Sequence, residues 1–328
     1  MSLLAVEELR VRLETPAGLA TVVDGIDYTV EPAEVFGVAG ESGSGKTVSM
    51  LALLGLLPDR ASVAGSARFD GRELIGMARR RLRAISGREL TMVFQDPYTS
   101  LHPMLSIGRQ LTEHVRQHLG LDRRSADKRA VDLLREVRIP DPQSALHAFP
   151  HQFSGGMRQR IAIAIALACE PKLLIADEPT TALDVTVQAG ILRLLDRLRR
   201  EHELAVVLIT HDLGVLSSLA DRIAIFYDPQ HPYAWGLMGS VTRVDRDPPK
   251  RLPAIPGQPP SLLRVPAGCH FGPRCPHAFD RCHEVPPLES RVPGSPDHLD
   301  RCWLDLADKR TRREVGGRIG LAQGDVIK

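Results

Sequence analysis

Gly40-Glu41-Ser42-Gly43-Ser44-Gly45-Lys46-Thr47 is the stretch that decides how this chain folds. It has the pattern G-x-x-x-x-G-K-[ST], follows an apolar run at 35–39 and precedes a helix-prone segment at 48–54. In such a loop the glycines let successive backbone N–H groups and the helix N-terminus point at phosphate oxygens. Lys46 then reaches the β and γ phosphates, and Thr47 offers a hydroxyl to Mg²⁺. The stretch therefore predicts a nucleoside triphosphate site between a strand and a helix.

Composition sets broad limits on what the chain does. Its 328 residues are 43% hydrophobic, which is enough for two domains with a full core. The net charge is only +2, so nothing in the overall balance demands nucleic acid or an anionic membrane. Residues 1–8 do not have the pattern of a signal peptide, and no apolar run reaches about eighteen residues. We expect a cytosolic chain that does not itself span a membrane.

The order of apolar runs predicts the class of fold. Alternating runs at 9–13 and 20–23, separated by Thr15-Pro16-Ala17-Gly18, predict a hairpin of a half-exposed antiparallel sheet. The first helix is expected to stop at Leu57-Pro58, and a second strand pair is expected around Asp70-Gly71. Apolar spacing from 104 to about 140 is helical, which predicts a helical insertion. Later strands alternate with helices, so we expect a mainly parallel α/β sheet with its ligand site at the strand C-terminal ends.

Two adjacent acids predict hydrolysis of the bound nucleotide. Asp177 and Glu178 follow Leu173-Leu174-Ile175-Ala176, which has the character of a buried strand. Asp177 can hold Mg²⁺ through water, and Glu178 can orient or deprotonate the water that attacks the γ-phosphate. A strand-end turn is the alternative for such a pair taken alone. With the phosphate loop present, the pair predicts an ATP hydrolysis site.

Two more polar residues, Gln95 and His211, come directly after apolar strands. A single His or Gln at a strand end is usually just a polar terminus. Because both follow strands of the same predicted sheet, we expect both to approach the γ-phosphate or its water.

Ser154-Gly155-Gly156 opens a long helix rich in Ile and Ala. A Ser-Gly-Gly at a helix N-terminus can form a second anion cradle, although simple N-capping is the commoner role for such a motif taken alone. One chain has no need of two phosphate sites so far apart in sequence. We therefore expect this site to serve the nucleotide of another subunit.

Taken together, these motifs resemble those of the ATP-binding cassette (ABC) ATPase family. The corresponding elements are a Walker A loop (Gly40 to Thr47), a Q-loop (Gln95), a signature (Ser154 to Gly156), a Walker B strand (Leu173 to Glu178), a D-loop (Ala182-Leu183-Asp184) and a switch histidine (His211). The resemblance implies an α/β fold: a P-loop NTPase (RecA-like) ABC ATPase core with an antiparallel β subdomain, a helical subdomain and an irregular Cys-rich C-terminal extension. It also implies a head-to-tail dimer in which each ATP lies between one Walker A loop and the other chain's signature.

The resemblance implies a role for each nucleotide-site residue. Glu178, His211 and Gln95 would be catalytic, and Thr47, Gln95 and Asp177 would hold Mg²⁺. The residues implied to bind ATP lie in the Walker A loop, the signature and the D-loop: Gly40, Ser42, Gly43, Ser44, Gly45, Lys46, Thr47, Ser154, Gly155, Gly156 and Asp184.

Within that family the chain is similar to the ATPase subunits of oligopeptide/dipeptide (and nickel) importers. The segments that carry the similarity are 94–103, 149–160, His231-Pro232-Tyr233 and 268–276. The implied partners are a second, similar ATPase subunit, two transmembrane permease subunits and an extracytoplasmic peptide-binding protein. The chain would then lie on the cytoplasmic face of the membrane, held there by the permeases. Near-neutral charge argues against the nucleic-acid-acting ABC ATPases.

We predict three regions. Residues 1–226 form the nucleotide-binding domain, with its helical subdomain at about 96–165. Residues 227–304 form a proline-rich importer extension, and the charged residues 305–328 form a poorly ordered tail.

Four cysteines of the extension predict a metal centre. Cys269, Cys275, Cys282 and Cys302 supply enough thiolates for a tetrahedral zinc or for a four-cysteine iron–sulphur cluster, and unligated or disulfide-paired thiols remain an alternative. The resemblance implies a [4Fe–4S] cluster, which similar importer ATPases carry. The fifth cysteine, Cys169, is expected to be a small core residue.

The chain departs from the family pattern in two places. The position where the family usually stacks adenine on an aromatic ring is Leu13, which leaves Tyr28 as a candidate for base contact. The hairpin and short helix that usually follow the strand at 222–226 are missing, and a missing hairpin exposes a sheet edge. These departures favour one alternative, a catalytically weak regulatory subunit paired with an active ATPase.

Overall fold

The structure is a computed structural model that describes residues 2–16, 18–40, 43–96, 100–181, 183–225, 232–233, 257, 266–290, 299–305, 307–309 and 311–312. The predicted contributions of Ser42 and Ala182, and most of the proline-rich arm, lie outside these residues. Within the described part, no helix has both the length and the apolar character needed to cross a membrane.

A four-stranded antiparallel sheet forms the first layer, in the order β2-β1-β4-β5. Its strands are β1 (Leu4–Thr15), β2 (Gly18–Val30), β4 (Ser62–Phe69) and β5 (Arg72–Glu73). The predicted first hairpin is confirmed, with Thr15 paired with Gly18 across the turn. The second predicted turn is confirmed too, because Asp70 and Gly71 both have positive φ angles, as a tight hairpin requires.

A five-stranded parallel sheet forms the second layer, in the order β6-β7-β8-β3-β9. Its strands are β3 (Val35–Ala39), β6 (Leu90–Val93), β7 (Leu173–Asp177), β8 (Ala205–Ile209) and β9 (Arg222–Ile225). Because all five run in the same direction, their C-terminal ends lie along one edge. The residues that follow β3, β6, β7 and β8 therefore lie along that edge.

Helices cover the parallel sheet. The longer ones are α1 (Lys46–Leu54), α2 (Arg79–Ile85), α3 (Ile107–Leu119), α4 (Arg123–Glu136), α6 (Gly155–Leu167), α7 (Val185–His202) and α8 (Leu213–Leu219), with a short α5 (Pro142–Ala145). The predicted helical insertion is thus present as α3 and α4. Helix α1 is shorter than predicted, because Gly55 ends it in a left-handed conformation before Leu57 is reached.

The core lies on both faces of the parallel sheet, as the alternation of side chains along β8 shows. Val206 and Leu208 join the cluster formed with the helical insertion, α6 and α7. Val207 and Ile209 join the cluster formed with α1 and the antiparallel sheet. All five residues of β8 are buried, as expected for a central parallel strand.

The C-terminal part of the described chain forms a small lobe of turns and short pairs. A two-stranded sheet of β10 (Glu289–Ser290) and β11 (Leu299–Asp300) lies within it. Lys309 is only 1% exposed and pairs with the equally buried Asp300. The packed lobe therefore extends at least to Lys309, which corrects the prediction that the free tail begins at 305.

Candidate functional site

The phosphate loop joins the end of β3 to the start of α1, as predicted. Lys46 is only 6% exposed, and its Nζ lies 2.9 Å from the carbonyl oxygen of Gly40 and 3.4 Å from Oγ of Ser44. A buried ammonium held by oxygen atoms is placed to exchange these partners for phosphate oxygens.

Gly45 occupies a position that only glycine fits. Its φ is +90°, and a Cβ added there would lie 2.6 Å from the carbonyl oxygen of Val22 and 3.1 Å from Cγ2 of Val23. The phosphate loop therefore rests directly on strand β2 of the antiparallel sheet.

Asp177 lies at the end of β7, next to the start of α1. Its carboxylate accepts a hydrogen bond from Thr47 and is attracted by the positive charge of Lys46, and both interactions lower the pKa of Asp177. Burial is the larger effect, and together with the neighbouring Glu178 it raises the pKa of Asp177 above its ordinary value. A desolvated carboxylate beside a threonine hydroxyl is a suitable ligand pair for a hard cation such as Mg²⁺.

Glu178 is the point at which the predicted catalytic residues meet. Its Oε2 accepts hydrogen bonds from Nε2 of Gln95 at 3.0 Å and from Oγ1 of Thr181 at 2.8 Å. Its Oε1 lies 3.2 Å from Nδ1 of His211. Residues from the ends of three neighbouring strands, β6, β7 and β8, are thereby brought together around one carboxylate.

Sequence reasoning missed Thr181. The signal was present, because a threonine three residues after an acid in a turn commonly bonds back to it. Thr180 and Thr181 both follow Glu178-Pro179, so the sequence alone did not indicate which hydroxyl faces the carboxylate.

The Ser154-Gly155-Gly156 motif starts helix α6, as predicted. Ser154 is exposed and caps the helix, accepting a hydrogen bond from the backbone N–H of Met157 at 3.4 Å. A Cβ on Gly156 would lie 2.4 Å from Cγ1 of Val187, so glycine lets this helix approach the start of α7. Asp184 caps α7 through the N–H of Val187 at 3.0 Å. Within this chain, Ser154 of the signature and Asp184 of the D-loop are therefore the N-caps of α6 and α7.

Tyr28 is partly buried and packs against Phe36 and Met50, which argues against the predicted base contact. Its ring stacks on Phe36 with a centroid separation of 5.4 Å, and burial strongly raises the pKa of its hydroxyl. Leu13 is half-buried and packs with the apolar cluster of Val11, Val23 and Ala52. The surface at the predicted adenine position is therefore aliphatic.

The four cysteines of the extension lie around one cavity, and the metal centre predicted for them stays a prediction. Cys269, Cys275, Cys282 and Cys302 all line one small cavity, together with Trp303 and other side chains. None of the chain's cysteines is in a disulfide. Burial raises the pKa of the Cys275 and Cys302 thiols to about 11, and it also raises the pKa of Cys269. Among the described residues, no three cysteine Sγ atoms lie mutually within 4.8 Å.

The structure has a parallel sheet with a phosphate loop after β3, two consecutive acids at the end of β7 and an inserted helical layer, and these features define an ABC-type ATPase. Comparison with known proteins agrees. Residues 23–181 match a family model described as ABC transporter, and residues 219–282 match one described as oligopeptide/dipeptide transporter, C-terminal region. A dimeric ATP-binding cassette, MJ0796, solved in a post-hydrolysis state with ADP and phosphate, superposes with a TM-score of 0.60 at 25% identity, covering 68% of this chain and 93% of that one.

Two curated relatives extend the match over most of the chain. The oligopeptide transport ATP-binding protein OppD of Salmonella typhimurium is 46% identical over 307 residues, covering 89% of this chain and 91% of the relative. The dipeptide transport ATP-binding protein DppD of Bacillus subtilis is 43% identical over 329 residues, covering 95% and 97%. The chain belongs to the family of ABC transporter ATP-binding subunits that these oligopeptide and dipeptide transport proteins represent.

Proposed function

We propose that this chain binds and hydrolyses ATP as the motor subunit of an ABC importer for peptides. The observation that carries the proposal is the meeting of Gln95, Thr181 and His211 on the Glu178 carboxylate, at the strand ends beside the phosphate loop. Similarity to peptide transport ATP-binding proteins over both the ATPase core and the C-terminal region supports peptides as the solute class.

Each residue has a distinct role in the proposed reaction. Lys46 and the N–H groups of the phosphate loop bind the β and γ phosphates. Thr47, Asp177 and the amide oxygen of Gln95 would hold Mg²⁺, which neutralises phosphate charge when bound. Glu178 orients the attacking water and accepts its proton. Gln95 and His211, which both contact Glu178, sense whether the γ-phosphate is present.

The proposed working unit contains more than this chain. Ser154 is exposed at the start of α6, which leaves the signature accessible to the nucleotide of a second ATPase subunit in a head-to-tail dimer. We assign as further partners two permease subunits, which hold the chain at the cytoplasmic face of the membrane, and an extracytoplasmic peptide-binding protein. No role in nucleic-acid binding is proposed.

Glu178→Gln tests the ATPase proposal. We expect ATP turnover to fall about a hundredfold or more, because the general base is lost while the amide keeps the shape of the side chain. Nucleotide affinity should be retained, and Mg·ATP should now trap a dimer visible by light scattering. Glu203→Gln is the matched control, since Glu203 is exposed at the far end of α7. Equal turnover of the complete transporter complex with native chain and with Glu178→Gln would instead assign hydrolysis to the partner subunit and a regulatory role to this chain.

We further propose that the cysteine-lined cavity holds a [4Fe–4S] cluster. In a tetrahedral zinc site with bonds of about 2.3 Å, the sulphur atoms lie about 3.8 Å apart. Every set of three of these cysteines includes at least one Sγ–Sγ separation above 4.8 Å, so no three are at zinc spacing. Four thiols around one cavity, without disulfides and without such a trio, suit a multi-iron cluster better. When bound, such a cluster supplies a covalent cross-link between chain segments.

Iron and sulphide analysis of the full chain, purified without oxygen, tests the cluster. About four irons and four sulphides per chain are expected. Cys275→Ser should lower both, whereas Cys169→Ser should not, since Cys169 is buried in the core and does not line the cavity. One zinc per chain, or no metal at all, would contradict the proposal.

A further inference from the structure

The cysteine-rich lobe, defined here as the described residues from 266 to 312, makes a specific contact with the antiparallel sheet of the ATPase core. Nη2 of Arg301 donates a hydrogen bond of 3.0 Å to the carbonyl oxygen of Gly25 and lies 3.9 Å from the Glu8 carboxylate. Glu8 is itself in the bulge of β1, where Arg10 binds both Glu8 and Asp24. Arg301 therefore contacts a part of the antiparallel sheet where Glu8, Arg10 and Asp24 already hold one another through ion pairs.

Arg301 is held firmly on the lobe side because its two neighbours are anchored. Asp300 accepts a hydrogen bond of 3.0 Å from the N–H of Cys302 and forms the buried ion pair with Lys309. Cys302 lines the cysteine cavity, and Nε1 of Trp303 donates to the carbonyl of Glu284 at 3.1 Å. The orientation of Arg301 therefore depends on the order of the whole lobe.

On the core side, the strand that Arg301 contacts packs against the phosphate loop. Gly25 is in β2, the edge strand of the antiparallel sheet. Three and two residues earlier, Val22 and Val23 form the surface against which Gly45 packs without room for a side chain. Val23 also packs against Ala52 of α1, the helix that begins with Lys46. A displacement of β2 must therefore be transmitted to the phosphate loop.

We propose that Arg301 is a positioning residue that couples the cysteine-rich lobe to the nucleotide site through strand β2. An ordered lobe holds β2 in the position on which the phosphate loop rests, and this raises nucleotide affinity. Because coupling between two sites is reciprocal, bound nucleotide must in turn stabilise the lobe. The inference rests on the proposed nucleotide site, and it holds whether the lobe contains a cluster or thiols.

Three variants of the full chain test this coupling. Arg301→Ala removes the contact, and Arg301→Lys keeps a charged donor for the Gly25 carbonyl. Arg200→Ala removes the same charge from an exposed pair with Asp196 on α7 and serves as control. We measure the affinity for Mg·AMP-PNP, kcat and KM for ATP, and hydrogen exchange in peptides covering 266–290 and 299–305, with and without Mg·AMP-PNP.

In the native chain and in Arg200→Ala, Mg·AMP-PNP should slow hydrogen exchange in the lobe. In Arg301→Ala, the Kd should rise about fivefold, the lower end of typical couplings, and the protection of the lobe by nucleotide should be lost. KM should rise while kcat at saturating ATP stays unchanged, which general unfolding would not produce. Arg301→Lys should be intermediate.

Unchanged affinity and unchanged lobe protection in Arg301→Ala would overturn the coupling. Loss of kcat together with faster exchange throughout the core would also overturn it, because the arginine would then be merely structural. Failure of the native chain to bind Mg·AMP-PNP is a different result, since it would refute the proposed function itself.

Discussion

Glu178 occupies an unusual backbone position for a non-glycine residue, with a φ of +45°. Such left-handed conformations are uncommon for side chains like glutamate and concentrate at functional sites. The backbone N–H of Glu178 donates to the carbonyl of Ile209 at 2.9 Å, which ties the turn to the neighbouring strand β8. This turn directs the carboxylate to the place where Gln95, Thr181 and His211 meet it.

Thr181→Val removes the hydroxyl that holds Oε2 of Glu178 at 2.8 Å. We expect kcat for ATP to fall about tenfold or more, because one hydrogen bond to a charged group contributes about 1.5–3 kcal/mol and about 1.4 kcal/mol is a factor of ten in rate. Nucleotide affinity should not change, because the phosphate loop and Asp177 are untouched. Thr181→Ser keeps the hydroxyl and should retain most of the native rate. An undiminished kcat in Thr181→Val would show that Thr181 does not position the base.

At the scale of elements, helix α3 is attached to the loop before β6 by a histidine. Nε2 of His114 lies 2.9 Å from the carbonyl oxygen of Gly87, and the ring of His114 packs against that of His118. Burial, followed by the charge of His118, lowers the pKa of His114 below its ordinary value. The folded chain therefore favours neutral His114, whose N–H donates to Gly87.

This lowered pKa predicts how stability depends on pH. Below about pH 6.5, His114 of the unfolded chain binds a proton, whereas His114 of the folded chain does not until the pH reaches its lower pKa. The contribution of His114 to the free energy of unfolding is therefore complete above about pH 6.5 and is lost as the pH falls toward the folded pKa. One such group contributes at most about 1.4 kcal/mol per pH unit.

His114→Gln should reduce the loss of stability between pH 7.5 and 5.5, measured by denaturant unfolding of the full chain. The exposed His147→Gln is the control and should keep the native pH dependence. An identical loss in His114→Gln and native protein would contradict the assignment.

At the scale of the whole molecule, two sheets share the phosphate loop. The strand ends of the parallel sheet carry Gln95, Glu178 and His211, and the antiparallel sheet forms the surface against which Gly45 packs. Within the described residues, β9 pairs only with β3 and is therefore an edge strand; the predicted loss of the family hairpin falls after residue 225 and lies outside the described residues. This edge is on the side of the sheet away from β7, so the departure leaves Asp177 and Glu178 in place.

Much of this arrangement was predictable because local signals agreed with it. The apolar run of β7 followed by two acids predicts both a buried strand and the residue at which it ends. Because β6, β7 and β8 are parallel neighbours, Gln95 and His211 lie at the same edge of the sheet as these acids. Contacts set by tertiary packing were not predictable. Tyr28 looked available, but it stacks on Phe36, and Lys309 looked like part of a charged tail, but it is buried against Asp300. The contact of Arg301 with Gly25 joins residues 276 positions apart and has no local sequence signal.

The most direct test of the central claim is peptide uptake by proteoliposomes that contain the complete transporter, with Mg·ATP supplied on the side of this chain. The native complex should take up peptide and hydrolyse ATP together. The same complex with Glu178→Gln in this chain, and all other subunits unchanged, should bind ATP but lose both uptake and hydrolysis. Equal uptake and hydrolysis in the two complexes would contradict the claim that Glu178 drives transport.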